Sequence, residues 1–366
     1  MLMRTTRAEW RQWAAGAMVV TTGAVGLAGA VPATAAAAAD TVVNCKDNPG
    51  ALQPAITSAA PGATLRVKGT CTGPFSITKD LTLIGQKRTV LDGNQAGSTV
   101  TVTGAVQVRL DKLTITNGTA SDGGGINNAG GTVTLNDSTV KRNTATNRGG
   151  GIFNSGAATL TLNDSTVKRN TATNRGGGIF NSGAATLTLN DSTVEGNTAD
   201  SGGGIRNEGG MLTLNDSTMK RNTATNGGGI LNSGRVATLT LNNSTMKRNT
   251  ARNNGGGILN DGGTLTLDNS EVEHNTAFNG GGILDTGTLT LTESTVKHNT
   301  ATNDGGGIFN GGTATLTDST VRDNSATDQG GGIFYFSGTV TLNNSTVRDN
   351  EPNNCFPPGS VPGCTG

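Results

Sequence analysis

The feature that most constrains this chain is a repeated Gly-Gly-Gly-Ile motif. Its isoleucine recurs every 25 to 28 residues, at Ile126, Ile152, Ile179, Ile205, Ile230, Ile258, Ile283, Ile308 and Ile333. A second motif, Ser-Thr-Val or Ser-Thr-Met followed by two residues and Asn, lies between most successive triplets. A unit of this length is too small to bury an apolar side alone, so the repeat predicts a stack of similar coils.

Within one coil the apolar residues alternate with polar ones, which is the period of a strand. Leu160 and Leu162 are predicted to point inward, and Thr159 and Thr161 outward. The same reading of the whole coil gives three short strands. Strands this short need neighbours, so we expect each to pair in parallel with its equivalent in the next coil, about 4.8 Å away.

Asparagine forms two further columns. One contains Asn117, Asn143, Asn170, Asn197, Asn222, Asn249, Asn275, Asn299, Asn324 and Asn350, and the other contains Asn128, Asn154, Asn181, Asn207, Asn232, Asn260 and Asn310. Asparagine is unfavourable within strands unless its amide is hydrogen-bonded. Stacked coils would let each amide bond to the next, as in cross-β structures. The prediction is an all-β fold, a single-stranded right-handed parallel β-helix (β-solenoid) of about 12 coils with a short N-terminal capping helix.

The paired motifs resemble the GGAI and FxxN repeats of the polymorphic outer membrane protein family and its secreted actinobacterial relatives, over roughly residues 110 to 350. Val or Met stands here where that family usually has Phe. The resemblance implies a surface or extracellular β-helix, and it also supports the right-handed winding. It implies no catalytic residue.

Four segments are expected. Residues 1–39 are predicted to be a signal peptide, with Arg4, Arg7 and Arg11 before an uncharged stretch and Ala-x-Ala sites at its end. Residues 40–120 are predicted to form an N-terminal cap and irregular first coils, with a short helix within 51–60. Residues 121–350 form the tandem coils, and residues 351–366 form a C-terminal disulfide cap.

Export would favour disulfides between the four cysteines, which allow three connectivities. We favour the local pairs Cys45 with Cys71 and Cys355 with Cys364 over a metal site, because four metal ligands would have to converge from opposite ends of the chain. Neither a cofactor nor a transmembrane segment in the mature protein is predicted. The net charge of +1 gives no reason to expect nucleic acid as a partner.

Function is expected on the outward columns. The leading candidate is a basic column that would bind an extracellular anionic polysaccharide or cell-wall polymer without catalysis. Its residues are Lys141, Arg142, Lys168, Arg169, Lys220, Arg221, Lys247, Arg248, Lys297, Arg322 and Arg348. The alternative is that these residues only keep the surface solvated, and Glu195 and Glu273 within the column are consistent with that role.

Two other functions remain open. A flat Thr-x-Thr array resembles the ice-binding face of some β-solenoid antifreeze proteins, and its candidate residues are Thr159, Thr161, Thr186, Thr188, Thr213, Thr238, Thr240, Thr264 and Thr266. β-propensity alone also explains threonine there. A polysaccharide lyase or hydrolase of the pectate-lyase-like β-helix class would need a local carboxylate cluster. Glu271 and Glu273 are the only outward same-strand pair found in the repeats.

Two smaller features are also ambiguous from sequence. Phe153, Phe180, Leu231, Leu259, Leu284, Phe309 and Phe334 form an outward apolar column, interrupted by Arg206, that is either covered by loops or exposed for binding. His274 and His298 fall in consecutive coils at the position of the second basic residue. Replacement of a surface arginine explains these histidines as well as weak metal binding does.

Overall fold

The structure, a computed structural model, describes residues 41–365. These residues form about 13 turns of a right-handed solenoid, and each turn pairs in parallel with its neighbours. The one helix of the described residues is Leu52–Ser58, within the segment where the sequence predicts a helix. The predicted fold class is confirmed. The predicted signal peptide, residues 1–39, lies outside the described residues.

Most regular coils contain four strands instead of the predicted three, and the coil of Thr193–Glu195 has an isolated bridge at Thr198 in place of the fourth. In one coil the four strands are Ile152–Gly156, Thr159–Asn163, Thr166–Lys168 and Thr171–Ala172. We call the columns that contain them the Ile line, the Leu line, the Lys line and the Ala line. The Leu and Lys lines belong to one sheet that bends between them, the Ile line forms a second sheet, and the Ala line forms two short sheets separated at Thr198.

The bounds of the strands follow these lines. The Ile line comprises Phe75–Ile77, Val100–Thr103, Ile126–Ala129, Ile152–Gly156, Ile179–Gly183, Ile205–Glu208, Ile230–Ser233, Ile258–Asp261, Ile283–Asp285, Ile308–Asn310, Ile333–Tyr335 and Cys355–Phe356. The Leu line comprises Thr132–Asn136, Thr159–Asn163, Thr186–Asn190, Met211–Asn215, Thr238–Asn242, Thr264–Asp268, Thr288–Thr292, Thr313–Thr317 and Thr339–Asn343.

The Lys line comprises Thr139–Lys141, Thr166–Lys168, Thr193–Glu195, Thr218–Lys220, Thr245–Lys247, Glu271–Glu273, Thr295–Lys297, Thr320–Arg322 and Thr346–Arg348. The Ala line comprises Thr119–Asp122, Thr144–Arg148, Thr171–Ala172, Thr223–Asn226, Thr250–Asn254, Thr276–Ala277, Thr300–Ala301 and Ser325–Ala326. The bent sheet of the Leu and Lys lines begins with four strands of the first coils, Thr41–Asn44, Ala63–Thr72, Leu81–Asp92 and Gln107–Thr116.

In the coil of Ile152, the core receives one large apolar side chain from the Ile line, two from the Leu line and one from the Lys line. Ile152, Leu160, Leu162 and Val167 are fully buried, as predicted from the alternation. Burial of such a side chain stabilises the fold by about 1.5–3 kcal/mol. Because every coil repeats these positions, the core is a continuous column.

The first asparagine column forms a buried ladder from Asn143 to Asn350. The Nδ2 of Asn143 donates to the Oδ1 of Asn170 at 3.0 Å, and the Nδ2 of Asn170 also donates to the carbonyl of Val140. Asn117 is the exception to the prediction, because it is exposed in a left-handed conformation (φ 57°). The backbone N–H of Gly118 donates to Asn143 in its place.

Two corners of each coil are also left-handed. In one coil they are Asp164 (φ 48°), between the Leu and Lys lines, and Arg169 (φ 54°), between the Lys and Ala lines. The first of these corners gives an exposed acidic column that the sequence analysis did not identify. It contains Asp137, Asp164, Asp191, Asp216, Glu293 and Asp318.

Both ends of the solenoid are covered. The helix buries Leu52 and Ile56 beside the first turns, and the Cys45–Cys71 disulfide links the first turn to the second. At the other end, the Cys355–Cys364 disulfide closes a loop in which Val361 is 2% exposed. Both pairings are the ones favoured from sequence.

Candidate functional site

The predicted basic column lies in strict register on the Lys line. Lys141 is opposite Lys168, Lys168 opposite Glu195, and the same pairing continues to Arg322 and Arg348. In four coils a second basic residue, Arg142, Arg169, Arg221 or Arg248, occupies the exposed left-handed corner that follows. The two basic residues of a coil are therefore adjacent on one edge of the bent sheet.

The basic residues of this column fall into two groups, those that contact a carboxylate and those that do not. Lys297 contacts both Glu271 and Glu273, and the hydrogen bond to Glu271 raises the pKa of Lys297. Arg322 and Arg348 contact the aspartates that follow them, Asp323 and Asp349. Lys220 and Arg221 both contact Glu195, at 3.6 and 3.1 Å.

The remaining basic residues of the column have no acidic partner among residues 41–365. They are Lys141, Arg142, Lys168, Arg169, Lys247 and Arg248. The first four lie in two adjacent coils. They form the largest group of uncompensated cations in the column.

The threonine array is regular. Thr159 and Thr161 are opposite Thr186 and Thr188, and the same pairs extend along the Leu line except at Met211. Most of these threonines are half-buried by their neighbours. The array is bordered by the acidic corner column, which makes this side of the solenoid more polar than the threonines alone suggest.

The apolar column is mostly covered, which answers the question left open by the sequence. Phe153 and Phe180 stack with their centroids 5.6 Å apart, and the guanidinium of Arg148 lies 4.8 and 5.4 Å from their ring centroids. Leu231, Leu259 and Leu284 are at most 9% exposed and form the floor of a cleft of about 360 Å³. Phe309, Phe334 and Phe356 are only half-buried.

Arg206 lies at one end of this cleft. One of its guanidinium nitrogens donates to Ser201 at 3.0 Å, and another lies 3.6 Å from Glu208. Burial lowers the pKa of Arg206. Arg206 is therefore a packed, partly neutralised residue rather than a free cation.

The candidate catalytic carboxylates are also neutralised. Glu271 and Glu273 both contact Lys297, and Nδ1 of His274 is 3.5 Å from Glu273. The His274 and His298 ring centroids are 5.0 Å apart, as expected for consecutive coils. Within the described residues, no group of three or more His, Cys, Asp or Glu is arranged to hold a metal ion.

Comparison with known proteins agrees with this architecture. A family model described as "Right handed beta helix region" matches residues 207–351. The chain is a right-handed parallel β-helix repeat protein. No curated protein is similar to it in sequence. None of the matches is a polymorphic outer membrane protein, so that closer resemblance stays a prediction.

Among solved structures, the Agl-KA catalytic domain has a TM-score of 0.51 at 16% identity, covering 89% of this β-helix and 68% of the other chain. Pectate lyase Pel9A has a TM-score of 0.41 at 18% identity, covering 82% and 74%. Alginate lyase from Paenibacillus sp. str. FPU-7 has a TM-score of 0.38 at 14% identity, covering 83% and 99%. At these identities the likeness concerns the fold alone.

Among residues 41–365, no helix has both the length and the apolar character needed to cross a membrane.

The acidic corner column is a charged feature that was not predicted from the sequence. The recurring Asn-Asp-Ser was the available signal, because Asp and Asn are the non-glycine residues that most often adopt the left-handed conformation found at this exposed corner.

Proposed function

We propose that this protein is an extracellular, non-catalytic β-helix that binds an anionic polysaccharide or cell-wall polymer along its basic edge. The observation that carries the proposal is the group Lys141, Arg142, Lys168 and Arg169, four cations in two adjacent coils without an acidic partner in the described residues. Uncompensated surface charge of one sign attracts polymers of the opposite sign.

Lys247 and Arg248 extend the binding edge. They are the next uncompensated pair in the same column, three coils beyond Lys168. At about 4.8 Å per coil, the distance along the axis is roughly 14 Å. A polymer lying along the solenoid would contact both groups, and its many weak contacts would add through avidity.

The ion pairs define the limits of this surface. Lys297, Arg322 and Arg348 have carboxylate partners, so a polymer would have to displace these carboxylates to reach them. We therefore assign polymer binding to residues 141–248 of the basic column. The neutralised state of Glu271 and Glu273 supports a non-catalytic role.

Secretion is part of the proposal. Disulfides persist mainly in oxidising compartments, and both disulfides of this chain stabilise an end of the solenoid. The charged and apolar pattern of residues 1–39 supports the same route.

The test measures binding of the chain from residue 40 onward to pectate, alginate and cell-wall fractions at low and high salt. Changing Lys141, Arg142, Lys168 and Arg169 to Gln should weaken binding by about tenfold or more, since each exposed ionic contact contributes up to about 1 kcal/mol. Added salt should weaken binding of the unchanged protein as well.

The matched control changes Lys297, Arg322 and Arg348 to Gln in the paired part of the same column. This variant should bind almost as well as the unchanged protein. Equal losses in the two variants, or no binding at low salt, would rule out the assigned surface. Release of unsaturated uronates or new reducing ends from a bound polymer would contradict the non-catalytic role.

A further inference from the structure

Charge is strongly segregated along the solenoid axis. Residues 41–260 contain 21 Lys and Arg against 12 Asp and Glu, whereas residues 261–365 contain 3 against 12. The described chain is therefore nearly neutral as a whole but positive over its first turns and negative over its last. Because each coil follows the previous one along the axis, separation in sequence becomes separation in space.

The separation is clearest at the left-handed corner between the Lys and Ala lines. In order along the axis this corner carries Arg142, Arg169, Gly196, Arg221, Arg248, His274, His298, Asp323 and Asp349. The residues at the end of the Ala line and just after it follow the trend less strictly. Arg148, Arg175 and Arg252 precede Asp304 and Asp328, but Asp122 and Asp200 lie in the basic part, and Asp122 pairs with Arg148. One side of the solenoid is thus basic at one end and acidic at the other.

The fold itself does not require this order. Arg169, His274 and Asp323 occupy the corner with φ values of 54°, 54° and 54°, so the same backbone accepts all three residue types. The opposite corner shows no such change, because it is acidic both at Asp164 and at Asp318. The reversal of sign is confined to the side of the Ala line.

We propose that this side is an interface for a second copy of the chain, packed antiparallel along its length. Antiparallel packing about a two-fold axis near Arg248 places Arg142 opposite Asp349 and Arg169 opposite Asp323 of the second copy. The same operation produces each contact twice, as in any isologous dimer. Both columns have the same coil repeat, so the charges stay in register along the interface.

Other arrangements fit less well. Parallel side-by-side packing would place arginine against arginine and aspartate against aspartate. End-to-end stacking is opposed by the covered ends, where the helix Leu52–Ser58 and the Cys355–Cys364 loop lie over the terminal turns. The antiparallel pair brings the arginines at one end of the corner column against the aspartates at the other end, while Arg248 meets its own copy at the two-fold axis.

The arginines and aspartates that would meet across this interface are available to form ion pairs. Arg142 and Arg169 have no acidic partner in the described residues, and both are exposed. Asp323 and Asp349 contact Arg322 and Arg348 through Oδ2, which leaves Oδ1 of each carboxylate to accept from an arginine of the second copy. Phe278, 47% exposed in the loop after the Ala line, adds an apolar contact near the two-fold axis. The expected association is modest and sensitive to salt.

The experiment is sedimentation velocity on the chain from residue 40 onward, without any polymer, over a range of concentrations and salt. We expect a dimer at low salt that dissociates as salt is raised. Because four turns precede the coil of Arg142, each copy should extend about four turns beyond the other, so solution X-ray scattering should give a dimer about a third longer than the monomer with twice its mass. A dimer of doubled length would overturn the side-by-side arrangement, and a monomer under all conditions would overturn the proposal.

A charge exchange tests the pairing. Arg142→Asp with Arg169→Asp, and separately Asp323→Arg with Asp349→Arg, should each raise the dissociation constant about tenfold or more. Combining all four substitutions should restore the dimer. All four place a residue type that other coils already carry at the same corner conformation, so the fold should tolerate them.

The matched control is Asp137→Asn with Asp164→Asn at the opposite corner, where Asn243 and Asn269 occur naturally. This variant should dimerise like the unchanged protein. If the four-fold exchange fails to restore the dimer, the proposed pairing is wrong. Both proposals use Arg142 and Arg169, so a polymer would compete with the second copy for these residues. The two remain distinguishable because dimerisation is measured without polymer, and a chain that binds no polymer can still dimerise.

Discussion

Asp285 is a carboxylic acid within a buried column of amides. It is 0% exposed and takes the place of asparagine in the ladder that runs from Asn128 to Asn310. Asn260 donates to its Oδ1 at 2.6 Å, and the backbone N–H of Gly287 donates at 3.3 Å. Its Oδ2 and the Oδ1 of Asn310 both lack a donor, although they belong to adjacent coils. A proton on Oδ2 would satisfy both oxygens.

Burial raises the pKa of Asp285 to about 6, against an ordinary value of 3.8. A carboxyl group with a raised pKa stabilises the fold most fully below pH 3.8, and this contribution is lost as the pH rises through about 6. Titration of Asp285 therefore lowers the free energy of unfolding by about 3 kcal/mol at pH 8 relative to low pH. Asp285→Asn should remove this dependence, because the amide donates to Asn310 at every pH.

Denaturant unfolding of both proteins at pH 4 and pH 8 measures this effect. Asp285→Asn should be more stable than the unchanged protein by about 2–3 kcal/mol at pH 8, with a much smaller difference at pH 4. Comparing the two proteins cancels the titration of the other carboxylates. An equal difference at both pH values would show that Asp285 is not the group that titrates.

At the scale of the strand and its turns, the Gly-Gly-Gly segment sets how closely successive coils approach. A Cβ on Gly177 would lie 2.4 Å from the carbonyl oxygen of Thr198 and 2.5 Å from that of Gly203. Both are backbone atoms held by the pairing of coils, so they cannot move aside locally. By contrast, a Cβ on Gly196 would meet only the end of a side chain, Arg169 Cγ at 3.9 Å.

Gly177→Ala should therefore lower the free energy of unfolding by about 3 kcal/mol or more, as overpacking against fixed backbone does. Gly196→Asn should cost about 1 kcal/mol or less, because asparagine tolerates the left-handed region and arginine already occupies this corner in other coils. Thermal unfolding of the two variants, monitored by circular dichroism, measures both losses of stability. Similar losses would mean that corner conformation, not coil spacing, limits stability.

The strands were predictable to different degrees. The Leu and Lys lines follow from alternating Leu-Thr and Ser-Thr-Val, because period 2 is explicit over several residues. The Ala line was missed, since Thr171–Ala172 is too short to show a period and is recognisable only once it pairs with its neighbours.

The sequence predicts where the basic column lies but not which of its residues contact a carboxylate. The repeat period places Lys141 beside Lys168 on one edge without any structure. Which cations remain uncompensated depends on contacts between neighbouring coils, such as Lys297 with Glu271, and on the corner conformation that places Asp323 beside Arg322. These contacts depend on side-chain positions, which the sequence alone does not give.

For the whole molecule, stability is distributed along the axis instead of around one centre. In a solenoid each coil contacts only its neighbours, so the terminal coils have one neighbour fewer and open first. The Cys45–Cys71 disulfide ties the first turn, Thr41–Asn44, to the second, Ala63–Thr72, across a separation of 26 residues. It therefore acts where opening would begin.

Replacing Cys45 and Cys71 by Ser should release the first turn while leaving the central coils folded. A disulfide closing a loop of this length stabilises by about 3 kcal/mol, which is a large share of what one terminal turn gains from its single neighbour. Hydrogen exchange should show loss of protection in residues 41–58, which include the helix, and unchanged protection in residues 160–250. Replacing Cys355 and Cys364 serves as the comparison, because it should affect only the last turn. Uniform loss of protection along the chain would mean that the solenoid unfolds as one cooperative unit.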